Sequence, residues 1–142
     1  MPLIVNLVAA ALLIGSQAPA EPAPAIPPEI APYVPRDIRA YFVAFLVNPA
    51  AEARPMSREL FIRHQAYLRR QFEAGVYRVA GPLTDGGRIR GIIILSAPSA
   101  EQAQAIVAGA PVVQESVVAV EMHPAMLPDL GGLRVEYPDS GR

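Results

Sequence analysis

Cysteine is absent from this chain, which removes disulfides, thiolate catalysis and cysteine metal sites together. Histidine is nearly as scarce. His64 and His123 are the only two, they do not have the spacing of a metal site, and neither a bound metal nor an organic cofactor is expected. An excess of one charge is also missing. Twelve basic residues face thirteen acidic ones, the net charge is -1, and no block of like charges occurs, so there is no electrostatic footprint for nucleic acid or an anionic membrane surface. What is present is 142 residues with 52% hydrophobic content, enough for one domain with a packed core.

Prolines divide the chain unevenly, with seven of the sixteen between Pro19 and Pro35. Before that cluster, Leu3 to Ile14 is an apolar run interrupted only by Asn6, too short for the roughly 20 residues that span a bilayer. Ala18-Pro19-Ala20 follows as a small-x-small cleavage pattern, so residues 1–20 read as a secretory signal peptide. Cleavage after Ala20 is preferred over Ala18, which would leave Pro19 as the first mature residue. The segment before the run lacks Lys and Arg, which keeps an uncleaved membrane anchor over residues 3–14 as the alternative to export into the periplasm or medium. Residues 21–37 are then a Pro-rich, polyproline-like leader.

The domain itself is expected over 38–123. Tyr41 to Val47 is continuously apolar and stops at Asn48-Pro49, the mark of a strand buried on both faces. Ser57 caps an amphipathic helix that Gly75 ends. Val76 to Ala80 and Arg88 to Ala97 read as strands joined at Thr84-Asp85-Gly86-Gly87. A capping box, Ser99 with Gln102, opens a second helix that Gly109 ends, and Ser116 to Met122 is a fourth strand. Pro124, Pro128 and Gly131-Gly132 are expected to stop any further strand, leaving 124–142 as a tail.

The order β-α-β-β-α-β predicts an α+β, ferredoxin-like fold: a four-stranded antiparallel sheet with both helices on one face. The second face is apolar as well, since Tyr41, Val43 and Phe45 alternate with Phe42, Ala44 and Leu46. Packing that face on a second copy predicts a homodimer; the leader or the tail folding back over it is the alternative.

Placing residues 100° apart sets Leu60, Phe61, Tyr67 and Leu68 close around His64 on the first helix, on the side expected to meet the sheet. A histidine there is either a neutral core residue bonded to a backbone group or an acid/base in need of a polar partner. Asp85 and Glu115 are the carboxylates that could approach it, although Asp85 also suits the turn and Glu115 an exposed position before the last strand. Tyr67 and Tyr77 could offer hydroxyls. Arg63 and Arg78 could attract an anion, but Glu59 four residues before Arg63 accounts for that arginine locally. His123, past the last strand, is expected to be exposed.

Residues 40–123 resemble the YCII-related domain family of small ferredoxin-like proteins that form dimeric α+β barrels. The opening strand, the segment Arg63-His64-Gln65-Ala66-Tyr67-Leu68, Ala80-Gly81-Pro82, Ser99 to Ala103 and the Val-Val-Ala-Val strand ending at Val120 carry the resemblance. In that family the helix histidine is paired with an aspartate from an Asp-Pro step after the second helix, as an acid/base centre. The resemblance gives His64 the histidine's place and aligns Ala110-Pro111 with the Asp-Pro step, so the carboxylate is missing here. Two functions remain open. One is an exported, non-catalytic or degenerate dimer that binds a small ligand; the other is a cofactor-independent lyase or isomerase using His64 on a small organic acid or lactone.

Overall fold

The computed structural model describes residues 25–138. It divides at Val34 into two units. In the first, the described leader residues hold one 3-10 turn, Ala31–Tyr33, so this stretch is not extended throughout. The second unit carries the sheet and the helices.

β1 (Ile38–Val47), β2 (Tyr77–Pro82), β3 (Ile89–Leu95) and β4 (Ala119–Pro128) form one antiparallel sheet in the order β2-β3-β1-β4. The β-α-β-β-α-β order is as expected, and the two long apolar strands, β1 and β3, occupy the centre. α1 (Arg58–Glu73) connects β1 to β2, and α2 (Ala100–Ala108) follows β3. Ser57 Oγ accepts the N–H of Leu60, and Ser99 Oγ accepts that of Gln102, so both helices begin where their capping residues stand. Gly75, at φ +70°, takes the left-handed position that ends α1.

Register assigns the faces. Ala44 pairs with Ile93 and Met122, and their side chains meet Ala103 and Val107 of α2 together with Leu68 and Phe72 of α1 in one core. Val43 pairs with Ile94, which pairs with Val79, and Phe45 pairs with Ile92. These five side chains lie on the other face, half-buried, where neither α1 nor α2 packs.

Two features depart from the sequence reading. A one-turn helix, α3 (Pro111–Gln114), precedes β4, with Pro111 at its first position where a missing N–H costs nothing. β4 itself continues past Met122, through Pro124 opposite Phe42 and Pro128 opposite Ile38. Proline does not stop this strand because β4 is at the edge, where one row of backbone N–H groups has no partner strand to lose. The tail beyond it is also tied to the domain: Asp129 donates its N–H to Asp37, and Arg69 of α1 stacks over the Tyr137 ring at 4.8 Å.

Candidate functional site

α1 presents Leu60, His64, Tyr67 and Leu68 toward the sheet, spaced as one helical face requires. Leu60 is 1% exposed and His64 8%. Phe61, expected on this face, is instead 49% exposed, at the margin of the apolar stripe. It borders a cavity of about 270 Å³ between α1 and the sheet, walled by Leu46, Met56, Leu68, Ile93, Val112 and Val118, among others, with His64 in the wall. A cavity of roughly 150 Å³ holds benzene, so this one has room for a substituted ring.

Gly91 helps to shape the floor. A Cβ there would lie 3.0 Å from the carbonyl oxygen of Gly81 and 3.5 Å from Leu46 Cδ1, so any larger residue would push the sheet or invade the cavity. The connection from α3 to β4 closes another side. Ser116 adopts a left-handed φ of 57°, which turns the chain so that Val117 and Val118 reach the cavity, and its carbonyl accepts the N–H of Arg54.

His64 has no hydrogen-bond partner among the described residues, and its Nδ1 is enclosed. Burial lowers its pKa from the ordinary value, so the ring is neutral at pH 7. Among the described residues no carboxylate replaces the one absent at position 110. Ala110 is fully buried and caps α3 through its backbone alone. Asp85 is exposed in the β2–β3 turn, where its carboxylate accepts the N–H of Gly87; it forms no part of the cavity wall. Glu115 is engaged by Arg63 in an ion pair that joins α1 to the end of α3, so Arg63 pairs across elements and not with Glu59.

The tyrosines are likewise occupied elsewhere. Tyr67 donates its hydroxyl to the carbonyl of Ile106, binding α1 to α2. Tyr77 packs edge-on against Tyr67 and Phe72, and its enclosed hydroxyl has a raised pKa, from burial first and the neighbouring Tyr67 second. Arg78 borders a separate cavity of about 300 Å³ under the tail, with Arg134 and Tyr137. His123 is exposed as expected and packs edge-on to Phe45 at 5.7 Å on the helix-free face. Of the candidates, then, only His64 fronts the cavity. The sequence reading brought Ala110-Pro111 and Glu115 to the site but missed Val112, Val117 and Val118 as walls of the cavity; Pro111, a residue favoured at a helix start, was the signal for the turn that places them.

Among the described residues no group of three or more His, Asp or Glu side chains is placed to hold a metal ion, and no helix is long and apolar enough to cross a membrane. The model of the YCII-related domain family matches residues 41–122. No curated protein sequence matches the chain. Among solved structures, the chain is similar to the 5-chloro-2-hydroxyhydroquinone dehydrochlorinase of Burkholderia phenoliruptrix AC1100, in complex with 2,5-dihydroxybenzoquinone. The identity is 17%, the TM-score 0.41, and the match covers 60% of this chain and 91% of the other.

Proposed function

The chain belongs to the YCII-related domain family, and from that membership we propose a ligand-binding role: the cavity beside His64 takes up one small, mostly apolar molecule without chemical turnover. One observation carries this reading. His64 is buried in the cavity wall with no carboxylate bonded to it, and burial keeps it neutral. A base needs a group that fixes its tautomer and stabilises its charged form, and neither is supplied here. An apolar pocket with a few polar groups, here His64, Gln65 and the exposed Arg90, still has what binding requires.

The test is ligand-observed NMR with a set of small aromatic and alicyclic compounds. Saturable binding that is lost when Ala80→Leu fills the cavity supports the proposal. Turnover of any compound that disappears in His64→Ala replaces it with the second reading, a cofactor-independent lyase or isomerase with His64 as acid/base. That reading has its own support, since a lone titratable ring with a displaced pKa in a cavity is a common signature of a reactive group.

The helix-free sheet face is read as a homodimer contact. Val43, Phe45, Val79, Ile92 and Ile94 form a continuous apolar surface there, which a second copy would cover. Light scattering on the full chain gives twice the monomer mass if this holds, and Phe45→Asp lowers it; a wild-type monomer at high concentration ends the idea. Export is part of the same proposal. Its basis is the apolar run and the Ala18-Pro19-Ala20 pattern, which lie outside the described residues. Mature protein beginning at Glu21 supports it, and a retained Met1 in exported protein indicates a membrane anchor.

A further inference from the structure

We infer that His64 carries its proton on Nε2 and meets the cavity as a hydrogen-bond donor, which selects a small, uncharged, mostly apolar ligand bearing one carbonyl-type acceptor. The inference rests on the binding role proposed above. It begins from the bookkeeping of a neutral imidazole, which has one N–H and one lone pair to place on its two nitrogens. Nδ1 is enclosed and has no partner, so whatever it carries goes unanswered. Orphaned buried N–H groups are rarer in proteins than under-satisfied acceptors. The proton therefore belongs on Nε2. The ring fronts the cavity and Nδ1 is closed off, so Nε2 is the nitrogen a ligand can approach.

The charge of the ligand follows from the same wall. Its one charged residue, Arg90, is exposed and stands at the irregularity in the β1–β3 register, where Leu46 pairs with Gly91 and Val47 with Ile89, so its charge stays in contact with solvent. Arg63, beside His64 in sequence, is already neutralised by Glu115. A carboxylate bound at the buried His64 ring would exchange its hydration for one neutral N–H, which is disfavoured. A ketone, aldehyde, ester or lactone on a ring fits both the donor and the volume.

The test uses the full chain with isotope-labelled histidine. Long-range 1H–15N correlations report which ring nitrogen of His64 holds the proton, with His64→Gln for assignment. Three probes of similar size are then titrated: acetophenone, which only accepts; indole, which only donates; and ethylbenzene, which does neither. The expected result is the Nε2–H form, with acetophenone binding roughly five- to tenfold more tightly than ethylbenzene, as one hydrogen bond contributes. That margin vanishes in His64→Leu. An Nδ1–H form, or tighter binding of indole than of acetophenone, overturns the inference. Equal binding of all three overturns the donor role and leaves the binding role standing. Failure of all three to bind removes both.

Discussion

The hydroxyl of Tyr41 accepts the backbone N–H of Leu130 at 2.7 Å and donates to the carboxylate of Asp129 at 3.3 Å. The start of β1 thereby holds the chain as it leaves β4. Tyr41 is 4% exposed, whereas Asp129 is open to solvent, so these bonds are partly shielded from water. Tyr41→Phe leaves the Leu130 N–H without its partner and is expected to destabilise the domain by about 1–2 kcal/mol. Urea denaturation checks this, as a lower midpoint with an unchanged slope.

Arg63 and Glu115 join α1 to the end of α3 beside the cavity, but both are substantially exposed. An exposed pair of this kind contributes at most about 1 kcal/mol. In a double-mutant cycle with Arg63→Ala and Glu115→Ala, the coupling energy is expected to fall within that limit and to shrink in high salt. A larger, salt-independent coupling would mean that the two residues organise the α3 segment as a whole.

The pH dependence of stability follows from His64. Burial depresses its pKa in the folded state, so above the unfolded value of about 6.5 both states are neutral and the group has no effect on stability. As pH falls below that point the unfolded chain takes up a proton that the folded one resists, and stability is lost until the folded pKa is passed. Denaturation midpoints measured from pH 7.5 downward should decline with this added slope in the wild type. His64→Leu should lack it.

Ala110→Asp places a carboxylate where the family resemblance puts one, at the start of α3. If it reaches His64, the protonated ring gains an acidic partner and its pKa rises, which NMR titration would record as an upward shift. An unmoved His64 would show that the new carboxylate caps α3 instead.

Much of the fold was legible because the signals were local. Ser57, Ser99 and Gly75 mark helix ends by hydrogen bonds and backbone angles within a few residues, and the alternation of β1 and β3 already implied two apolar faces. The course of β4 was not legible in this way. Whether Pro124 interrupts a strand depends on which side of the strand has a neighbour, and that is a property of the assembled sheet. The site was legible in its central residue and not in its walls. The period of α1 turned His64 inward, but the partners offered by sequence spacing were engaged elsewhere, Glu115 by Arg63 and Tyr67 by Ile106. Those contacts connect segments about 40 to 50 positions apart, beyond the reach of a pattern read along one helix.

The two prolines in β4 also bear on how the sheet ends. A bare edge offers an ordered row of donors and acceptors on which another strand can grow, and chains joined that way propagate without limit. Pro124 and Pro128 take N–H groups out of β4 on the flank of the sheet. Fibre-like extension from this side of the sheet is therefore blunted.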